Sequence, residues 1–168
     1  MKLILIYHAD AHSKEDSDVS YDAERPLTEL GQRQSEKIAE YLKANQLNPS
    51  PIVCSPFVRT QETATIICAA IGYVQQAIPL IILAPGCSIE DILRAALNYG
   101  DTENQWMLAV LHEPDMLAIL SEILCHNKSF PWNLEPGDLF AVELEVNQGH
   151  YKTKLIHSYS VGTMETHV

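Results

Sequence analysis

The stretch Lys2-Leu3-Ile4-Leu5-Ile6-Tyr7-His8-Ala9-Asp10 decides the fold, because in it an apolar run stops abruptly at a histidine. Residues 3–7 show no alternation of polar and apolar side chains, which is typical of a strand buried on both faces of a parallel sheet. Ligands of open α/β sheets bind just beyond the carboxyl ends of the strands. His8 is therefore a candidate site residue, although a histidine that merely caps a strand is the simpler interpretation of His8 alone.

Two further apolar runs end at polar side chains in the same way. Residues 51–54 form a short buried strand followed by Ser55, and residues 106–111 form a continuous apolar run followed by His112. The carboxyl ends of parallel strands meet at one edge of a sheet. We therefore expect His8, the segment from Ser55 to Arg59, and His112 to become neighbours.

Helical patterns separate these strands. Thr28 is the expected N-cap of a helix over 29–43 that Asn45 closes, and Ser55-Pro56 is the expected start of a helix that ends before Gly72. Further elements are a strand over 78–83, a helix from the near capping box at Ser88 through 97, and a helix from Pro114.

The end of the chain changes character. Residues 139–146 and 151–159 alternate around a turn at 147–149, which predicts a terminal hairpin. Strands that alternate with helices predict an α/β fold: a doubly wound, mostly parallel sheet flanked by helices, with a C-terminal antiparallel hairpin. We interpret residues 1–168 as a single domain, since no linker, repeat or low-complexity segment interrupts them.

Composition narrows the classes of function. A hydrophobic content of 46% and a charged content of 20% are typical of a globular protein, and the formal net charge of −11 argues against nucleic acid as a partner. The first apolar run is too short to span a bilayer and has no cleavage site, so we expect neither a membrane segment nor a signal peptide. The four scattered cysteines are expected to be reduced, which fits a cytoplasmic protein.

Two arginines lie in suggestive positions. Arg59 falls in the first turn of its predicted helix, where the dipole favours an anion, although a surface ion pair with Glu62 or Glu29 explains it equally well. Arg25 follows a polar loop, residues 11–24, that has no apolar periodicity and is expected to be a solvated connection.

Four segments of the chain resemble the motifs of a known family. The segment Ser55-Pro56-Phe57-Val58-Arg59-Thr60-Gln61-Glu62-Thr63-Ala64 is similar to the second-arginine motif of the histidine phosphatase superfamily, which includes the phosphoglycerate mutases. Arg25-Pro26-Leu27-Thr28-Glu29-Leu30-Gly31, Tyr7-His8-Ala9 and His112-Glu113-Pro114 occupy the places of its other motifs. The short chain without a long insertion most resembles the SixA-type phosphohistidine phosphatases.

The resemblance implies roles for these residues. His8 would be the nucleophile that becomes phosphorylated, His112 would donate to a phosphoryl oxygen, and Arg59 would hold the oxygens as a planar fork. Arg25, Tyr7 and Ser55 are the further expected phosphate-binding residues. The implied substrate is a phosphohistidine-bearing protein, such as a histidine-containing phosphotransfer domain, and no cofactor or metal is implied.

Two positions depart from the family pattern. Tyr7 replaces an arginine, and losing one preorganised donor of this kind can cost about 3 kcal/mol of transition-state stabilisation. Ala9 replaces a glycine, which matters if the backbone there needs a positive φ. Glu90 and Asp91 stand near the place of the superfamily's general acid, but we interpret them as first-turn acids of a helix. A protonated imidazole leaves readily, so phosphohistidine does not require such an acid.

Two other classes of function remain open from the sequence. The replacement of the motif arginine at position 7 and the acidic loop over residues 15–24 fit a degenerate domain. Such a domain would bind a phosphorylated or histidine-bearing protein without turnover. Alternatively, the spacing His8-x-Asp10-x-His12 could ligate zinc or iron, although no further cluster of matching spacing supports a metal hydrolase.

Overall fold

The computed structural model describes residues 1–100, 105–126, 128–147 and 150–162. In chain order its strands and helices are β1 (Lys2–Tyr7), α1 (Lys14–Ser17), α2 (Glu29–Ala44), β2 (Pro49–Cys54), α3 (Val58–Ile71), β3 (Ile78–Pro79), α4 (Ile89–Tyr99), β4 (Trp106–Leu111), α5 (Asp115–Cys125), β5 (Leu139–Asn147) and β6 (His150–Tyr159). Short 3-10 turns lie at Asp22–Glu24 and Ile81–Leu83.

The strands form one six-stranded sheet in the order β3-β2-β4-β1-β5-β6. The four strands β3, β2, β4 and β1 run parallel, whereas β5 runs antiparallel to β1 and β6 antiparallel to β5. Central residue Leu5 of β1 lies between Ala109 of β4 and Phe140 of β5. The predicted fold class and its terminal antiparallel strands are confirmed, while part of the predicted turn, residues 148 and 149, lies outside the described residues.

Strand β1 is covered on both faces, as its unbroken apolar run predicts. Leu3 and Leu5 belong to a core shared with α4 and α5, whereas Ile4 and Ile6 belong to a core shared with α2 and α3. All four side chains have no exposed surface. Burying an aliphatic side chain of this size contributes about 1.5–3 kcal/mol, so this strand anchors both layers of the domain.

Helix α3 begins later than the sequence predicts. Ser55 and Pro56 are not its N-cap and first position; Phe57, in an extended conformation, precedes the first helical residue, Val58. The reason is that the Ser55 side chain is fully buried and hydrogen-bonded to His112 across the sheet edge. The helix end is as predicted, since Gly72 closes it with φ +74°.

The strand predicted over 78–83 is also shorter than expected. Only Ile78 and Pro79 pair with β2, and the chain then turns through the 3-10 turn at Ile81–Leu83. Pro79 has no N–H to donate, which favours its place at the sheet edge. Elsewhere the predicted caps are present: the Thr28 hydroxyl accepts from Gly31 N, and Ser88 and Asp91 form a capping box.

The described cysteines agree with the expectation of reduced thiols. Cys54, Cys68 and Cys87 are buried, Cys125 is half-buried, and all four are free thiols. Among the residues described, no helix has the length and apolar character needed to cross a membrane.

Candidate active site

Three side chains from three strand ends meet at the carboxyl edge of the sheet. His8 N donates to Leu111 O at 3.1 Å and so extends β1 beyond its last residue. Arg59 Nε lies 3.0 Å from His8 Nε2, and Arg59 Nη2 lies 3.3 Å from His112 Nδ1. The rings of His8 and His112 pack edge to face with centroids 5.4 Å apart, and all three residues are at least nine-tenths buried. The expected convergence of these residues is thus present.

The His8 ring has a defined tautomer. Its Nδ1 lies 2.8 Å from Ala9 O, a carbonyl that can only accept, so Nδ1 carries the proton. Nε2 then holds a lone pair, which accepts from Arg59 Nε–H. Burial, together with the positive charges of Arg59 and Arg25, lowers the pKa of His8 to about 4. At neutral pH the ring is therefore neutral, as a nitrogen nucleophile must be.

The His112 ring is oriented the other way. Its Nδ1 faces Arg59, which can only donate, so the proton sits on Nε2 and points to Ser55 Oγ at 2.7 Å. Burial and the nearby Arg59 lower the pKa of His112 to about 3. Ser55, expected to bind phosphate, is instead fully buried behind His112 and fixes the orientation of its ring.

All three nitrogens of the Arg59 guanidinium have hydrogen-bond partners. Besides the two histidines, its Nη1 donates to Asp22 O at 2.8 Å and its Nη2 pairs with the Asp22 carboxylate at 3.1 Å. The face of the guanidinium lies over the Phe57 ring, with Cζ 4.9 Å from the ring centroid. Arg59 is therefore a buried residue of this site rather than a surface cation.

The surface partners proposed for Arg59 are occupied elsewhere. Glu62 accepts from Leu27 N at 2.7 Å and so connects the two arginine motifs, whereas Glu29 pairs with Arg33 at 3.7 Å. The alternative of a surface ion pair between Arg59 and either glutamate does not hold, because the Arg59 side chain is buried at the strand ends.

Arg25 reaches the same carboxylate as Arg59. Its Nε lies 2.7 Å from the Asp22 carboxylate, and its Nη1 donates to His12 O at 2.8 Å. Although partial burial opposes it, the charges of Arg59 and Arg25 hold the pKa of the Asp22 carboxyl below its usual value. The sequence offered no signal for Asp22, which stands among several acidic residues in a loop expected to be merely solvated.

The two departures from the family motif have different structural consequences. The Tyr7 ring packs edge to face on His8, with centroids 4.8 Å apart. Burial above all, and then the Glu113 carboxylate, raise the pKa of the Tyr7 hydroxyl, so it is a neutral group where the motif has a cation.

Ala9 fits its position without strain. Its N–H donates to Thr63 Oγ1 at 3.1 Å, its side chain is fully buried, and its φ is not positive. A glycine is therefore not needed there for its conformational freedom.

The motif at residues 25–31 fixes the loop that follows His8. Thr28 N donates to Asp10 O at 3.1 Å, and the Thr28 hydroxyl donates to the Asp10 carboxylate. A Cβ at Gly31 would overlap the Asp10 carbonyl oxygen, so only glycine permits the loop to lie this close to α2. Asp10 is thus committed to the N-terminus of α2.

The acid and metal interpretations find little support. Asp91 caps α4, and Glu90 is an exposed residue that accepts from the Tyr151 hydroxyl at 3.1 Å. Within the described ranges, no group of three or more His, Cys, Asp or Glu side chains could hold a metal ion. In the proposed metal motif, His8 faces Arg59 and Asp10 faces Thr28.

Comparisons with known proteins show what the chain is similar to. Residues 3–82 match the family model of the histidine phosphatase superfamily (branch 1). No curated protein sequence matches the chain. The resemblance to the histidine phosphatase superfamily drawn from the motifs is confirmed, and it supports a phosphatase.

Solved structures with the same fold include three described as phosphatases. The protein histidine phosphatase SixA complexed with tungstate is 23% identical, with a TM-score of 0.74 over 92% of this chain and 94% of that one. A putative phosphohistidine phosphatase SixA from Agrobacterium tumefaciens is 21% identical, with a TM-score of 0.71 over 95% and 97%. A putative alpha-ribazole-5'-P phosphatase from Escherichia coli is 16% identical, with a TM-score of 0.64 over 93% and 95%. At these identities the likeness is one of fold.

Proposed function

We propose that this protein is a phosphatase that hydrolyses phosphohistidine on another protein through a phosphorylated His8. The observation that carries the proposal is the neutral His8, whose Nε2 lone pair faces the buried guanidinium of Arg59. The match to the histidine phosphatase superfamily and the SixA-like fold support it.

The reaction has two steps. In the first, His8 Nε2 attacks phosphorus, and the P–N bond to the substrate imidazole breaks as the new P–N bond forms. The leaving imidazole carries a proton taken from solvent. In the second, water attacks phosphorus, and phosphate leaves with His8 restored to its neutral form.

Arg59 and His112 would stabilise the transferred group. Arg59 would turn its donors from His8 and Asp22 to the phosphoryl oxygens, where a planar fork binds two of them. His112 Nδ1 has no proton in the free site, so it would donate to an oxygen only after protonation. The negative charge of the phosphoryl group raises the pKa of a neighbouring histidine and so favours that protonation.

Phosphohistidine is the favoured substrate because the leaving group needs no protein acid. Glu90, the candidate acid, is hydrogen-bonded to Tyr151 and exposed, an environment that lowers its pKa through hydrogen bonds. An alcohol leaving group would require such an acid, whereas a protonated imidazole does not.

The proposed partner is a histidine-containing phosphotransfer domain in the cytoplasm. With a formal net charge of −11, this chain would steer a partner whose phosphohistidine is surrounded by basic side chains.

The test uses a phosphotransfer domain phosphorylated chemically on histidine. Wild-type protein and His8→Ala are incubated with it, and loss of the phosphoramidate ³¹P signal is timed against release of inorganic phosphate. We expect phosphate release with wild type only. An alkaline quench during the reaction should trap wild-type protein that is phosphorylated on histidine. p-Nitrophenyl phosphate serves as the ester comparator, and preferential cleavage of that ester would contradict the proposal.

A second function is favoured by one observation, the replacement of the motif arginine by Tyr7. A degenerate domain would bind a phosphorylated or histidine-bearing protein without turnover. In the same experiment, tight binding of the phosphorylated domain with no phosphate release and no phosphorylation of this protein would select this alternative.

A further inference from the structure

The carboxylate of Asp22 lies where two cationic side chains of the pocket converge. It is 2.7 Å from Arg25 Nε and 3.1 Å from Arg59 Nη2. The side chain of Asp22 is 57% exposed, whereas that of Arg59 is 5% exposed. The carboxylate therefore approaches the guanidinium from the solvent side, from which a ligand must also enter.

This contact also affects the proposed nucleophile. With Nη1 on the Asp22 carbonyl and Nη2 on its carboxylate, Arg59 points its Nε–H at the lone pair of His8 Nε2. The atom proposed to attack phosphorus is thus covered by the same guanidinium that Asp22 holds.

We infer that Asp22 is an internal competitor of the phosphoryl group: its carboxylate occupies the Arg25–Arg59 donors in the free protein and is displaced when the substrate binds. The inference rests on the proposed function only in taking this pocket to bind a phosphoryl group.

Charge explains why displacement favours phosphoryl groups. The Asp22 carboxylate carries one negative charge and is tethered beside its partners, so a dilute monoanion competes poorly with it. A phosphoryl dianion offers more charge and more acceptor oxygens to the same two guanidinium groups. Once Arg59 turns to the incoming oxygens, its Nε–H leaves His8 Nε2, which uncovers the nucleophile for attack.

The alternative role for Asp22 is simply to position Arg59, and the two roles predict opposite results. Asp22→Asn keeps the shape of the side chain and the backbone carbonyl contact but removes the charge. If Asp22 competes with the ligand, affinity for an oxyanion rises; if it only positions Arg59, affinity falls or stays the same.

The experiment titrates orthovanadate and inorganic phosphate into wild type, Asp22→Asn and Asp22→Ser by calorimetry. Because the Asp22 side chain is 57% exposed, we take each of its two ion pairs to be worth up to about fivefold in an equilibrium constant, and we expect a gain of roughly fivefold to twentyfold for both variants. Phosphohistidine turnover by Asp22→Asn should show a lower KM by a similar factor.

Asp18→Asn is the matched control. Asp18 is an exposed acid of the same loop, and no ion pair is seen for it in the part of the chain that the structure describes. It makes the same change in net charge, so we expect its affinity to equal that of wild type. A gain as large as that of Asp22→Asn would overturn the inference by assigning the effect to overall charge.

The remaining outcomes separate the two proposals. Wild type and both Asp22 variants binding vanadate equally, or the variants binding it more weakly, would overturn the displacement of Asp22 and leave the proposed function standing. Binding by none of them would overturn the proposed function, and the inference with it.

Discussion

The candidate site has a floor and a rim, which differ in burial and in their agreement with the family motif. The floor, made by His8, Ser55, Arg59 and His112, is buried, and its side chains hydrogen-bond one another. The rim, made by Tyr7, Asp22 and Arg25, is more exposed, and there the motif arginine is replaced and a carboxylate sits between the cations. From this difference we expect a division of roles, in which the floor determines the chemistry and the rim determines how tightly an anion is held.

The largest effect is expected from removing His8, the proposed nucleophile in the floor. His8→Ala should lower phosphohistidine turnover by at least about a thousandfold, because no other group can form the covalent intermediate. Phosphate release is the measurement. Glu90→Gln, which alters an exposed residue outside the pocket, should retain wild-type turnover, and comparable loss from both changes would indicate an ester-cleaving mechanism with a true general acid.

The next largest effect is expected from changing Arg59, whose planar guanidinium is part of the floor. Arg59→Lys keeps the charge but cannot contact His8, His112 and two phosphoryl oxygens from one plane, so turnover should fall roughly a hundredfold. Single-turnover kinetics measures the loss at the chemical step. Arg33→Lys, on the exposed face of α2, is the matched control and should have no effect; a wild-type rate for Arg59→Lys would mean that only charge is needed.

A gain is expected at the rim. Tyr7→Arg adds a charged fork beside His8, and charge-assisted hydrogen bonds are worth about 1.5–3 kcal/mol, so vanadate affinity should rise roughly tenfold to a hundredfold. Titration of vanadate checks it, with Tyr7→Phe as the control for loss of the hydroxyl. An unchanged affinity would show that position 7 does not face the anion, and tighter binding without faster turnover would favour the non-catalytic domain.

The smallest effect is on stability and concerns the buried histidines of the floor. Burial and Arg59 lower the pKa of His8 to about 4 and of His112 to about 3, below the value near 6.5 of an unfolded chain. The unfolded state therefore binds more protons below pH 6.5, and the free energy of unfolding falls as pH decreases.

Urea unfolding at pH 7, 6 and 5 measures this dependence. We expect a loss on the order of 1 kcal/mol per pH unit for each histidine below pH 6.5. His112→Gln removes one of the two titrating groups, so its stability should depend less steeply on pH. A slope equal to that of wild type would show that His112 is not held neutral by the fold.

The sequence predicted the features that depend on neighbouring residues. The unbroken run of residues 3–7 marked a doubly covered strand, and Thr28, Gly72 and the Ser88–Asp91 pair marked helix ends, because capping is settled within a few residues. Such signals also brought His8 and His112 to one sheet edge.

Features that depend on distant partners could not be predicted. Ser55 is a residue type that favours the N-cap position, but its hydroxyl is hydrogen-bonded to His112, which lies 57 residues away in the chain. Asp22 is indistinguishable in sequence from Asp16 or Asp18, and only the return of α3 beneath the loop pairs it with Arg59. The strand at Ile78 ends early because the chain leaves the sheet edge at Pro79.

The position of β4 between β1 and β2 has a consequence for folding during synthesis. The segment that matches the family model, residues 3–82, contains β1, β2 and β3, yet neither β2 nor β3 pairs with β1. A ribosome that has made only this segment has therefore made both arginine motifs and His8 but not the strand that joins them. Because domains fold as units and exposed apolar strands aggregate, the nascent chain should acquire protease resistance only after β4 emerges.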